Sequence, residues 1–299
     1  MAEGQYQLAQ IQYKDAIELA AQQMDSVLAP LFTQGSYKGK AVSPVDRLES
    51  FEMDEVTGRY EPVGRGETEF ERRWISPRHF DKRLVMDKKD LLDTLKDPQS
   101  SYVQAMQAAL ARKKDSRSAN AFFADAKIGI AGDETVTWAS EGANQIVLQT
   151  VGSGASASGF NFAKLRAAIK IIRGNEVPTN EQIYVGLTAN QIDKLYDEAI
   201  FVSNEHNKEA LDAVSDGKVT RLLGAYFVMT ERLEVDGSGY TRVPMWTKKG
   251  MHFGMWDDLY LDITPDKSLK LHPDAIYLAQ SFNAARIDPK RVVEIKCAV

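Results

Sequence analysis

From Asp97 to Asp125 the chain runs DPQSSYVQAMQAALARKKDSRSANAFFAD, and after Pro98 no glycine or proline interrupts it as far as Phe123. Asp97 can accept from the orphan N–H groups of a first helical turn, and Pro98 has no N–H to waste there. Taken as helical from Pro98 to Ala124, the stretch is a rod of about 40 Å, roughly twice the usual helix length. Its apolar stripe is uneven. Tyr102, Val103, Met106, Ala109 and Leu110 come first, then Arg112, Lys113, Lys114, Asp115 and Arg117, then Ala121, Phe122 and Phe123. That pattern predicts a helix well buried only at its two ends, lying across a sheet with one long side exposed. The plainer alternative is a surface helix of an ordinary α+β enzyme.

Whatever the helix crosses must come from the rest of a 299-residue chain, 43% hydrophobic and 26% charged, which is ample for one large core or two ordinary ones. A net charge of -5 argues against a dedicated nucleic-acid binder while leaving room for one basic face. The single cysteine, Cys297, excludes a disulfide or cysteine-based metal cluster within one chain and points to a reducing cytoplasm. The N-terminus lacks the basic leader and apolar core of a secretory signal, and no apolar run is long enough to span a membrane.

Residues 5–32 carry Leu8, Ile11, Ala16, Ile17, Leu19, Ala20, Met24, Val27, Leu28 and Leu31, closed by Pro30 and Gly35, and predict a helical arm that docks on the body or on a neighbouring chain. Residues 39–86 differ. Between Glu52 and Arg73 the large apolar residues are only Met53, Val56, Tyr60, Val63 and Phe70, with turn signals at Thr57-Gly58 and Gly64-Arg65-Gly66. Two extended strands around a polar tip fit this best. Such a hairpin buries too little to stand alone, so it is either disordered or laid on another surface.

Asp87 to Leu95 predicts a short helix. Beyond the long helix, residues 126–151 alternate like strands, best at Thr135-Val136-Thr137-Trp138 and Gln145-Ile146-Val147-Leu148, and Gly152 to Gly159 predicts a flexible linker. Helices follow at Phe162 to Arg173 and Ala189 to Ile200, with a buried strand at Ile183 to Leu187 between them. Val219 to Met229 turns at Gly224 into a strand, and Leu259 to Ile263, Ala275 to Phe282 and Val292 to Lys296 are strand-like. The C-terminal half is α+β.

In this order, the N-terminal arm, the charged hairpin, RRWISPRHFD, the short leucine helix and DPQSSYVQAMQAALARKKDS resemble the parts of a tailed-bacteriophage major capsid protein with the Hong Kong 97-type fold. IYVGLTANQIDKL, KVTRLLGAYFVMTERL and AIYLAQSFNAARIDPKRVVEIK are similar to later segments of that family, and the order of all these parts is the specific signal. The resemblance implies an α+β Hong Kong 97-like fold with an arm at 1–38, an E-loop hairpin at 39–86, a peripheral domain at 87–174 built on a spine helix at 98–124, an axial domain at 175–270 and closing peripheral strands at 271–299. It implies self-assembly into pentamers and hexamers of an icosahedral shell around double-stranded DNA, located in the virion and assembled in the bacterial cytoplasm. The hairpin and arm would reach across to adjacent subunits. A separate scaffolding protein and a portal protein are implied partners, DNA contact is non-specific, and a decoration protein is left open.

On the same resemblance, the inter-subunit contacts are Arg47, Glu49, Glu52, Asp54, Glu55, Arg59, Glu61, Arg65, Glu67, Glu69, Glu71, Arg72 and Arg73. Arg112, Lys113, Lys114 and Arg117 are candidates to face DNA, against the plainer reading as the wet side of a helix. Some relatives lose a long N-terminal extension; with the hairpin starting near residue 39, no large cleavage is expected. Others join a hairpin lysine to a neighbour's asparagine, but no lysine lies between Lys40 and Lys82, so the shell should be non-covalent.

No catalytic constellation is legible. Gly154 to Gly159 has phosphate-loop glycine spacing but continues Phe160-Asn161, without the required Lys and Ser/Thr. His79, His206, His252 and His272 are too dispersed for a metal helix, Cys297 is expected to be inert, and the pairs Asp257-Asp258 and Asp54-Glu55 are expected to be solvated. No enzyme, cofactor or metal is therefore expected. Two rivals remain at this level: an encapsulin-type compartment shell and an α+β enzyme.

Overall fold

The computed structural model describes residues 23–40, 42–48, 53, 55, 70–86, 99–154, 156–196, 221–257, 259–270 and 272–298. In chain order come β1 (Thr33–Ser36), β2 (Val42–Leu48), β3 (Phe70–Ile75), β4 (Arg78–Met86) and the long helix α1 (Gln99–Phe123). Next are β5 (Ala126–Ile128), β6 (Glu134–Val136), the helical turn α2 (Trp138–Glu141), β7 (Ile146–Val147), α3 (Phe162–Gly174), β8 (Ile183–Leu187) and α4 (Ala189–Tyr196). The remainder is strand: β9 (Arg221–Leu222), β10 (Ala225–Met229), β11 (Thr241–Thr247), β12 (Met251–Met255), β13 (Tyr260–Pro265), β14 (Asp274–Arg286) and β15 (Val292–Cys297).

Three sheets share these strands. A six-stranded sheet has the order β7-β15-β11-β8-β10-β9. Helix α3 packs on it through Leu165, Ala168 and Ile172, one turn apart on one face, against Val185, Val243, Met245 and Ile295. The Asn161 side chain starts α3 by accepting from the Lys164 N–H at 2.7 Å. In the five-stranded sheet β14 is central. β4 pairs along one of its sides, and β12 and β13 pair with successive parts of β14. β1 adds in parallel to β12. The four-stranded sheet, β2-β3-β5-β6, carries the two strands expected for the hairpin, paired antiparallel from Val42↔Ile75 to Leu48↔Phe70.

Helix α1 matches the expected span to within a residue at each end, yet its middle is not exposed as expected. Ala108, Ala111, Asp115, Ser118, Ala119 and Phe122 form one buried stripe of small and polar residues. Residues 26–28 cover it: the Asp115 carboxylate accepts from the Ser26 hydroxyl at 2.6 Å and from the Val27 and Leu28 amides at 3.0 Å. This also overturns helix as far as residue 32. Those amides go to Asp115, and the chain forms only a 3-10 turn at Ala29–Leu31. Residues 1–22 and the helix expected at 87–95 lie outside the described residues.

Two further expectations fail. Thr137 and Trp138 do not continue a strand; the Thr137 side chain accepts from the Ser140 N–H and caps α2. The glycine-serine stretch is tied down rather than free. Ser158 donates its N–H to Gln149 O at 3.0 Å, and Ala298 donates to Ser158 O at 2.8 Å. The buried Lys164 ammonium donates to the carbonyls of Ser158, Gly159 and Lys296 at 2.6, 3.0 and 2.9 Å. The chain also crosses between sheets on both sides of positions 174 and 271. α3 packs on the same sheet as β8, and β15 leaves β14 to lie between β7 and β11.

Candidate assembly surfaces

Among the described residues, the arrangement that most resembles catalytic chemistry is His79, Ser281 and Asp257. His79 Nδ1 lies 2.7 Å from Ser281 Oγ, which donates to Asp257 Oδ2 at 2.8 Å. The order is wrong for a nucleophile. With the single hydroxyl proton of Ser281 directed at Asp257, Nδ1 of His79 is left as donor to that oxygen, so the imidazole is not placed as the serine's base. Cys297 is fully buried and its thiol is pushed up to about 12 by that burial, which leaves no thiolate to react. Among the described residues no group of three or more His, Cys, Asp or Glu could hold a metal ion, and no helix is long and apolar enough to cross a membrane.

The densest electrostatics lie instead where the hairpin joins the body. Glu141, on α2, takes Arg73 of β3 on one oxygen and Arg286 of β14 on the other, the latter at 2.9 Å. Both arginine side chains are essentially without solvent exposure, at 1% and 0%. Arg286 also donates to Phe122 O at 2.6 Å and stacks 4.7 Å from the Trp138 ring. Burial raises the Glu141 carboxyl, but hydrogen bonds and charge from Arg73 and Arg286 hold it below its ordinary value. Trp138 in turn donates to Glu294, which holds Arg242 at 2.8 and 3.0 Å. One short helical turn thus joins the hairpin, α1, β14 and β15.

Arg73 is thus buried and paired within its own chain. Arg47 pairs with Glu71 at 2.8 Å and Arg72 with Asp46 at 2.7 Å across the hairpin strands. Glu55 is exposed. Glu49, Glu52, Asp54, Arg59, Glu61, Arg65, Glu67 and Glu69 lie outside the described residues. Of the basic cluster on α1, Lys113 is exposed with its amine 5.3 Å from the Phe80 ring centroid, and Lys114 lies 5.8 Å from that of Phe282. Desolvation lowers the Lys114 ammonium. Arg117 donates to Asn283 Oδ1 at 2.7 Å, and Arg112 to Gln23 O at 3.4 Å. Arg112, Lys114 and Arg117 thus have neighbours within the chain, while Lys113 is exposed.

What sequence reasoning missed is where apolar surface remains uncovered. β13 exposes Tyr260, Leu261 and Ile263, at 57%, 40% and 42%, on a strand that ends the path of its sheet. Among the described residues nothing pairs with its outer edge, and an apolar edge of this kind invites another chain. Leu223, at positive φ in the turn between β9 and β10, is half exposed. It lines a groove of about 640 Å³ with Ala163, Ala167 and Ile169 of α3. Ile130 and Met53 are almost fully exposed, at 88% and 91%.

The profile of the phage capsid protein family matches residues 6–299. This chain belongs to that family. Solved capsid structures agree with it in fold. A Mycobacterium phage Che8 chain superposes with a TM-score of 0.68 at 16% identity, covering 95% of each chain. The cyanophage P-SCSP1u capsid gives 0.67 at 15%, covering 95% of this capsid protein and 91% of that chain. The cyanophage Pam1 capsid gives 0.71 at 10%, over 96% and 95%. No curated protein matches in sequence. The capsid protein thus has the expected Hong Kong 97-like fold.

Proposed function

We propose that copies of this capsid protein form pentamers and hexamers that close into an icosahedral shell around double-stranded DNA, the hairpin of each subunit lying over its neighbour. The observation that carries this is the anchoring of the hairpin. Its β3 strand is held by the buried Arg73–Glu141 pair, while the segment beyond it, residues 49–69, is acidic and poor in apolar residues. A charge-rich segment on so firmly held a base suits contact with another subunit better than it suits the core. In this reading the six-stranded sheet with α3 and α4 is the axial domain, and α1 with the five-stranded sheet the peripheral one. β13 lies at a subunit boundary, and of the basic cluster Lys113 is best placed to meet DNA. A scaffolding protein and a portal remain expected partners, and the lack of a hairpin lysine supports a non-covalent shell.

The test is Arg59→Glu with Arg65→Glu. Single exposed ion pairs contribute only about 0–1 kcal/mol, so the effect comes from repetition around the shell. The double variant is expected to fold as the wild type does, by circular dichroism, and to yield few or no shells. Normal shell yield would remove the hairpin from the proposal.

A further inference from the structure

We propose that β13 pairs antiparallel with β13 of a second copy, about a two-fold axis at Leu261, joining the five-stranded sheets of two subunits into one. The inference rests on the shell reading above and specifies one of its contacts. Where β13 and β14 meet at their turn, Asp266 donates its N–H to Pro273 O at 2.8 Å. Hydrogen bonding alternates along an antiparallel pair. In the register that runs from Pro265↔Asp274 to Tyr260↔Ala279, Thr264, Asp262 and Tyr260 therefore bond inward to β14, and the N–H and C=O groups of Leu261 and Ile263 point away from the sheet. Pro265 is the next outward position, and with no N–H to offer it closes the free edge at that end. β4, on the other side of β14, exposes Arg78, Asp81, Lys82 and Arg83, charges of the kind that blunt an edge against pairing. β13 carries a single charge, Asp262.

That charge selects the register. Centred on Asp262, the pairing would set two carboxylates directly opposite each other, which destabilises a sheet. Centred on Ile263, it would place Leu261 against Pro265 and lose a donor on each strand. Centred on Leu261, it sets Leu261 against Leu261, Ile263 against Leu259, and Asp262 against Tyr260, whose hydroxyl can donate to it. Leu259, Leu261 and Ile263 are all exposed in the single chain. Leu261 and Ile263 lie opposite Leu278 and Ile276, which are buried with Met106 of α1, so the pairing carries this apolar cluster across the axis. The ends are complementary too. Antiparallel pairing brings the start of one β13, next to the exposed Asp257, toward the turn of the other, where Lys267 and Lys270 are exposed. The contact is isologous, as a two-fold axis requires.

The test places single cysteines in the full chain, Tyr260→Cys, Leu261→Cys, Asp262→Cys and Ile263→Cys, checks folding by circular dichroism, and oxidises each variant mildly under shell-forming conditions. A hydrogen-bonded pair on the axis has its Cα atoms about 5.5 Å apart, within disulfide reach. Cys297 is buried and stays out of the exchange. Linked dimers on a non-reducing gel are expected to be most abundant for Leu261→Cys. They are expected to be lost when Ile263→Pro is added, because that change removes an outward N–H and leaves the inward bonds to β14 in place. A maximum at another position, no dimers at any position, or dimers undiminished by Ile263→Pro would overturn the pairing. Electron microscopy of the same samples scores shells separately. Shells without Leu261→Cys dimers would refute the pairing and leave the shell reading standing, and dimers without shells would do the reverse.

Discussion

Glu141 neutralises two buried arginines at once, and that sets the cost of losing it. Glu141→Gln keeps the volume but leaves Arg73 and Arg286 without their shared carboxylate. Breaking a buried pair in this way typically costs about 3–5 kcal/mol, to be measured by urea unfolding of the unassembled chain. A change under 1 kcal/mol would mean that the hairpin base is held by packing alone. His252 acts at a different pH. Its Nε2 lies 2.8 Å from the Tyr37 hydroxyl, and burial lowers its imidazolium from 6.5 to about 4. The unfolded chain therefore binds the proton first, and stability falls as pH drops from 6.5 toward 4, by about 3 kcal/mol. Glu141, held below its ordinary value of 4.5, begins to lose its contribution as pH falls below that value. Comparing wild type with His252→Gln at pH 7 and pH 4 isolates the effect. Equal pH dependence in both would rule it out.

At the scale of elements, the sequence was most legible where apolar spacing and capping coincide. α3 and β8 fall where expected, and α1 differs only at its ends, because Leu165, Ala168, Ile172 and Val185 sit at regular intervals on buried faces. The buried middle of α1 escaped because its stripe is made of Ala108, Ala111, Asp115 and Ser118, and the groups that cover Asp115 lie 87 to 89 residues earlier. β11 was missed for another reason. It is buried almost throughout, so it does not alternate, and it contains Pro244, which pairing with β8 tolerates by starting one residue later at Met245. Asp115→Ala tests the least legible contact. It removes a carboxylate from several buried donors and should cost about 3 kcal/mol, with new proteolytic cleavage between residues 23 and 32. Unchanged protease resistance of that segment would mean that something other than Asp115 holds it.

For the whole molecule, the buried charge network and the exposed apolar surfaces have complementary roles. Glu141, Trp138 and Glu294 hold hairpin, long helix and sheets in one relation, while β13, the Leu223 turn and the hairpin leave apolar or charged surface for other copies. No single contact there needs to be strong, because a closed shell repeats each of them around every symmetry axis. That division explains why no reaction site was legible in the sequence: specificity rests on the shape and placement of surfaces, and motifs do not record these. The most direct test is electron microscopy of the purified full-length protein, by negative stain and then two-dimensional averaging. Closed, uniform, icosahedral shells are the predicted result. A population of monomers or small fixed oligomers, unchanged as concentration is raised and when the scaffolding protein is co-expressed, would contradict it.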